Sequence, residues 1–302
     1  MNLIKKYYFL GLLILFGGAF CTCRMISHDP AAKPAGLMIH WQAHRGGGAH
    51  DAPDNTMAAF QYAWSLGGIP EADIRTTLDS VIICLHDGTL ARTTDAPAPI
   101  ASVKIRTLRF EQVRRWDAGI KFDSAHQGER VPSLAEVFAA MKGFPQRQLY
   151  LDLKDVDLKK LGRMIDSLNL GKQILIASSH QDECRALKGL ARRVRTMLWI
   201  GGSAGEIEEK FKRAADNGFD GLDQVQLHLN DNADSLRWRY ELSPEFIEQA
   251  VHLSKKCGRD LEVFVKEFDE RSVNRLLDMG IRWYATDEPK RFAQIIEGWQ
   301  KR

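Results

Sequence analysis

Cysteine is scarce in this chain and badly spaced for structural work. Of five in 302 residues, Cys21 and Cys23 fall in the N-terminal segment, and Cys84, Cys184 and Cys257 lie far apart with no Cys-x-x-Cys pair. That spacing excludes a disulfide framework or a cysteine zinc site; buried thiols are expected, with one disulfide among the three left open in an oxidising compartment. Charge of one sign is lacking too. Lys and Arg number 42 against 39 Asp and Glu, a net +3, and no basic cluster is interleaved with aromatics, so no nucleic-acid partner is expected. Gly46-Gly47-Gly48 has no helix-opening Gly-x-Gly-x-x-Gly context, which excludes a dinucleotide fingerprint. No apolar run at the N-terminus reaches the roughly 20 residues of a spanning helix.

What is present begins with an export layout. Lys5-Lys6 precede the uncharged run Tyr7 to Phe20, which is followed by Cys21-Thr22-Cys23, the order of a bacterial signal. Residues 1–20 are read as a signal peptide, possible lipid attachment is placed at Cys21, 21–37 are read as a tether, and 38–302 as one domain. Gly17-Gly18-Ala19 also suits ordinary cleavage, and Phe20 departs from the small residue usual before a lipidated cysteine. The expected location is therefore export, to the periplasm or as a membrane-anchored lipoprotein.

Within 38–302, strand-like and helix-like runs alternate. Strands are predicted at Met38 to Ala43, Pro70 to Thr77, Gln148 to Leu153, Ile174 to Ala177, Thr196 to Ile200, Gly221 to Val225, Leu261 to Val265 and Trp283 to Ala285, with helices between them. Val81 to His86 follows Asp79-Ser80 too closely for a parallel crossover and must be a hairpin return. Eight parallel strands remain. The fold class is α/β, a distorted (β/α)8 TIM barrel with a β-hairpin extension after strand 2, whose active site belongs at the C-terminal strand ends.

Those ends carry His44, Glu71, Asp73 and Asp152. A two-residue hairpin turn at Asp79-Ser80 would place Asp73 opposite His86, so that Glu71, Asp73 and His86 share one face. Two carboxylates, two histidines and Arg45 suffice to hold a divalent cation and cleave a phosphate ester. A glycosidase would also use paired carboxylates, but it gives no reason for the histidines. Trp199 is read as core rather than platform, and His228, with the remaining histidines, as a loop or surface residue.

The motifs His44-Arg45-Gly46, Pro53-Asp54-Asn55-Thr56, Glu71-x-Asp73, His86-Asp87, Leu90-Ala91-Arg92-Thr93-Thr94, Trp116-Asp117-Ala118-Gly119, Val131-Pro132-Ser133-Leu134 and Ala285-Thr286-Asp287-Glu288-Pro289 together resemble the glycerophosphodiester phosphodiesterase family, within the phosphatidylinositol-specific phospholipase C-like phosphodiesterase superfamily. The resemblance implies hydrolysis of a glycerophosphodiester to glycerol 3-phosphate and an alcohol, with a lysophospholipid as the other substrate considered. It implies a Ca²⁺ or Mg²⁺ cofactor on Glu71, Asp73 and Asp152, acid–base roles for His44 and His86, and phosphate contacts from Arg45 and Lys154. A phospholipase D-like activity on the same barrel, or a non-catalytic envelope lipoprotein binding headgroups or glycans, is the alternative. Three departures stand out: Asp152 where the family usually has glutamate, Asp54 for another glutamate, and Phe264-Val265-Lys266-Glu267 where a Trp-Thr-Val-Asn motif is usual. The shorter Asp152 would draw the cation toward its own strand or need a water.

Overall fold

The structure, a computed structural model, describes residues 38–232 and 237–301; the signal and tether readings lie outside them. No helix among the described residues is long and apolar enough to cross a membrane.

The strands are β1 (His40–Ala43), β2 (Ile69–Thr76), β3 (Ile82–Cys84), β4 (Leu149–Leu153), β5 (Ile174–Ser178), β6 (Arg195–Ile200), β7 (Gln224–Leu229), β8 (Asp260–Val265) and β9 (Trp283–Thr286). All but β3 are parallel, and β1 pairs with both β2 and β9 to close the barrel. Helices lie between successive parallel strands, as right-handed crossovers require. The fold expected from the alternation is the one observed.

Alternation along the strands sorts side chains between two environments. Ala72 and Ile74 of β2 and Leu149, Leu151 and Leu153 of β4 join helix residues such as Leu134 and Leu161 in one core. Ile69, Tyr150, Leu175, Ala177, Met197 and Trp283, all from strands, form a second cluster inside the barrel. Helix starts are set locally. Ser133 accepts from the Glu136 N–H while the Glu136 carboxylate accepts from Ser133 N–H at 2.8 Å, a reciprocal cap. The final helix, Pro289–Gln300, opens on proline, whose missing N–H costs nothing there.

Two sequence expectations need correction. Strand β7 begins later than Gly221 and runs to Leu229; Gly221, at φ +74, belongs to the turn that enters it. Its Gln224, Gln226 and His228 alternate with Val225, Leu227 and Leu229, which pack outside the barrel. His228 is thus a strand residue.

The hairpin register is also shifted by one. Leu78-Asp79-Ser80 make a three-residue loop, closed by the Thr77 N–H donating to Val81 O at 2.9 Å, with Ser80 left-handed at φ +62. Loops of this length end in a left-handed residue, a place Ser can fill at some cost. Consequently Ile74 faces Cys84, and the Leu85 N–H donates to Asp73 O at 2.8 Å. Leu85, not His86, lies opposite Asp73. Of the thiols, Cys84 and Cys184 are buried and Cys257 is exposed; all three are free.

Candidate active site

His44 follows β1 directly and its N–H donates to Thr286 O at 3.1 Å, tying the first strand end to the last. Its Nδ1 lies 2.6 Å from Asp287 Oδ1. Asp287 is held below the usual carboxylate range against its burial, by the hydrogen bond and charge of His44, then by Arg45 and Lys266. An acceptor on Nδ1 leaves Nε2 as the free ring nitrogen. The glycines after His44 allow this approach: Gly48 has φ +63, and a Cβ there would collide with the Asp287 carbonyl.

Arg45 also adopts a left-handed conformation, φ +55, which sparsely populated geometry is sustained by its surroundings. It points its N–H at Glu71 Oε2, 2.6 Å away. The guanidinium reaches Asp54 at 3.0 Å and lies 3.8 Å from Asp73 Oδ2.

Glu71 and Asp73 project from β2, and Asp152 from β4, where Asp73 and Asp152 are register partners. One ligand oxygen from each of the three lies within 4.8 Å of the others, so the shorter Asp152 side chain does reach. Glu71 is 2% exposed and Asp73 1%, a burial that costs several kcal/mol per charge unless compensated. Compensation is incomplete. Asn55, itself left-handed at φ +57, donates Nδ2 to Asp73 Oδ2 at 2.8 Å and accepts from Asp73 N–H. Lys154 Nζ sits 2.7 Å from Asp152 Oδ2 and 3.2 Å from Asp73 Oδ1. Yet Glu71 Oε1 and Asp73 Oδ1 are buried without a hydrogen bond.

The electrostatics follow. Burial, then Asp73 and Asp152, pushes Glu71 well up; burial also raises Asp152 despite Lys154. Asp73 is held down against its burial by Lys154, His86 and Asn55, and Lys154 is held up, against its own burial, by Asp152 and Asp73. Three carboxylates share the Lys154 ammonium and an Arg45 guanidinium that Asp54 also engages, which leaves a deficit of positive charge, and the bare oxygens are hard ligands. The cluster fits one divalent cation of the oxygen-seeking kind.

His86 enters from beyond the end of β3. Arg75 forks its Nε and Nη2 onto the His86 carbonyl at 3.0 and 2.7 Å, and His86 Nδ1 lies 2.7 Å from Asp87 Oδ1. Arg92 then links Asp87 to Asp54, which holds Arg45. His86 thus reaches the site through an ion-pair chain rather than through strand alternation. Both histidines line a cavity of about 190 Å³ with Arg45, Glu71, Asp152 and Lys154.

Several residues that line or back the cavity were given no role by the sequence reading. Asp287 stood inside a motif with no role attached, and only chain closure brings it to His44. Trp199, read as core, lines the cavity and donates Nε1 to Asp152 Oδ1 at 3.2 Å. His228 stacks on Trp199, and Phe264 packs edge-on to both His228 and His44. The period-two run Gln224 to Leu229 was the available signal. Asp117, by contrast, only braces a loop, accepting from the N–H groups of Gly119, Ile120 and Gly128.

A closed parallel barrel that sets two carboxylate-backed histidines beside a buried acidic cluster able to hold a divalent cation is the arrangement of a barrel enzyme with its site at the strand ends. The profile of the Glycerophosphoryl diester phosphodiesterase family matches residues 44–291, and the chain belongs to that family. The chain is 27% identical over 263 residues to the glycerophosphodiester phosphodiesterase of Caldanaerobacter subterraneus, covering 84% of this chain and 96% of the relative. Among solved structures it is similar to the glycerophosphodiester phosphodiesterase of Agrobacterium tumefaciens, with TM-score 0.65, 22% identity, and coverage of 85% and 100%. It is also similar to an Oleispira antarctica phosphodiesterase in complex with sn-glycerol-3-phosphate, with TM-score 0.64, 20% identity, and coverage of 86% and 97%.

The His44–Asp287 pair can be tested directly. Asp287→Asn keeps the shape but removes the charge that orients the ring, and turnover should fall about 10- to 100-fold with the circular dichroism unchanged. Wild-type turnover in a folded variant would exclude the orienting role.

Proposed function

We propose that this protein hydrolyses glycerophosphodiesters to glycerol 3-phosphate and an alcohol, with a divalent cation, Ca²⁺ or Mg²⁺, held by Glu71, Asp73 and Asp152. The observation that carries the reading is the pairing of His44 with Asp287 and His86 with Asp87 around one acidic cluster. When bound, the cation supplies charge neutralisation at the phosphoryl oxygens. Arg45 and Lys154 add positive charge on the same cavity wall and orient the phosphate. His86, with Asp87 on Nδ1, uses Nε2 to take the proton of the attacking hydroxyl. His44, with Asp287 on Nδ1, gives its Nε2 proton to the departing alcohol. If the neighbouring substrate hydroxyl attacks first, the two roles reverse as water opens the cyclic phosphate.

Phosphorus NMR of the purified protein with a panel of glycerophosphodiesters and lysophospholipids tests the assignment. Glycerol 3-phosphate should appear with the divalent cation present. No phosphate ester product from any member of the panel would overturn the proposal, and turnover confined to lysophospholipids would move it to the lipid-acting alternative.

We further propose that the protein is exported and anchored through a lipid on Cys21, on the strength of Lys5-Lys6, the apolar run to Phe20 and the cysteine after it. Cys21→Ser should release it from membranes or leave the precursor unprocessed. A mature N-terminus at Thr22 or beyond, without a lipid mass, would defeat the anchor.

A further inference from the structure

Beneath the catalytic cavity the barrel interior holds a polar cluster centred on Glu262 of β8. This carboxylate is fully buried. Tyr150 Oη and Gln224 Nε2 donate to Oε2, each at 2.7 Å, and Gln226 Nε2 donates to Oε1 at 2.5 Å. Its hydrogen-bond partners are neutral donors, and burial pushes the carboxyl up to about 7 in spite of them.

Ionised, above that value, the carboxylate only accepts, so Gln226 turns its amide nitrogen toward Glu262. The same nitrogen lies 3.4 Å from Gln42 Oε1, a second acceptor. The Gln226 carbonyl oxygen is thereby directed at His228 Nε2, 3.1 Å away. His228 is kept neutral, as burial, then Lys266 and His44, lower it to about 4. A neutral imidazole facing an acceptor must carry its proton on that nitrogen.

The imidazole in turn sits between two parts of the site. It stacks on Trp199 with ring centroids 5.3 Å apart and planes 11° from parallel, and Trp199 donates to Asp152. On its other side it meets Phe264 edge-on at 5.1 Å, and Phe264 packs against His44 at 5.0 Å.

We propose that Glu262 is a positioning residue of the catalytic cavity: through Gln226 it sets the Nε2–H tautomer and ring orientation of His228, which braces Trp199 at Asp152 and Phe264 at His44. The kinetic consequence rests on the phosphodiesterase reading; the tautomer does not. Outer partners of this kind commonly change activity about tenfold or more when altered.

Long-range ¹H–¹⁵N correlation spectra of histidine-labelled protein, recorded well above pH 7 so that Glu262 is ionised, report the tautomer, with the His228 signals assigned by their loss in His228→Asn. The wild type should show Nε2–H. Glu262→Gln gives Gln226 a neighbour that can donate as well as accept, so both His228 tautomers should be populated and kcat/KM should fall about tenfold, mainly in kcat. An Nδ1–H tautomer in the wild type, or a single Nε2–H tautomer in the folded variant, would overturn the relay. Mixed tautomers with unchanged kcat/KM would overturn its bearing on catalysis. Should Glu262→Gln fail to fold, Gln226→Met, which removes both links, carries the same readouts. The tautomer is read on the free enzyme, whereas a wild type inactive on every glycerophosphodiester would count against the assigned activity alone.

Discussion

Replacing His44 or His86 by alanine should lower turnover by about 10²- to 10⁴-fold, the range for loss of a positioned acid or base. Each histidine keeps a carboxylate on Nδ1, Asp287 at 2.6 Å and Asp87 at 2.7 Å, so each presents one working nitrogen to the cavity. His44 stands between Asp287 and the edge of Phe264, and in the proposed mechanism its Nε2 proton goes to the leaving alcohol. A substrate with an unusually acidic alcohol needs less of that proton and should therefore partly rescue His44→Ala, while His86→Ala should gain little. Rescue confined to His86→Ala would exchange the roles, and near wild-type turnover by both variants would end the two-histidine mechanism.

Chelation should reduce activity to background, and added Ca²⁺ or Mg²⁺ should restore it. Glu71 Oε1 and Asp73 Oδ1 are buried without a hydrogen bond, and Lys154 is shared between the Asp73 and Asp152 carboxylates. At an effective dielectric of about 20, a unit charge about 4 Å from another contributes about 4 kcal/mol. Glu71→Gln should therefore weaken cation binding by about a hundredfold or more, whereas His86→Ala should largely spare it. Thermal unfolding supplies a readout free of turnover: at a hundred times its dissociation constant the cation adds about 2.7 kcal/mol to the folded state, so the melting temperature of the wild type should rise with added cation and that of Glu71→Gln should rise much less. Full turnover in excess chelator, with no metal found by elemental analysis, would refute the cluster's role.

The failures of the sequence reading have specific causes. The register of the β2–β3 hairpin turned on whether the loop held two residues or three, and Asp79-Ser80 looks like a two-residue turn. Ser80 accepts a left-handed conformation that a sequence reader assigns first to glycine or asparagine. The Thr77 hydroxyl helps hold the longer loop, pairing with Asp79 at 2.7 Å and accepting from the Val81 N–H at 3.0 Å. His86 nevertheless arrives at the cavity, because Arg75, Asp87 and Arg92 place it after the strand has ended. His86 lines the cavity, but not through the shared strand face that the sequence suggested.

The barrel and the Glu71–Asp73 pair of its acidic cluster were legible in the sequence because both rest on local periodicity. Helical and strand patterns alternate along the chain, and Glu71 and Asp73, two apart on one strand, must share a face whatever surrounds them. The pairing of Asp287 with His44 across 243 positions, the meeting of Asp152 with Asp73, and the Glu262–Gln226–His228 line inside the barrel were decided only by tertiary structure. Each depends on which strand closes against which and at what register, and those are set by packing over the whole ring rather than by any neighbouring residues.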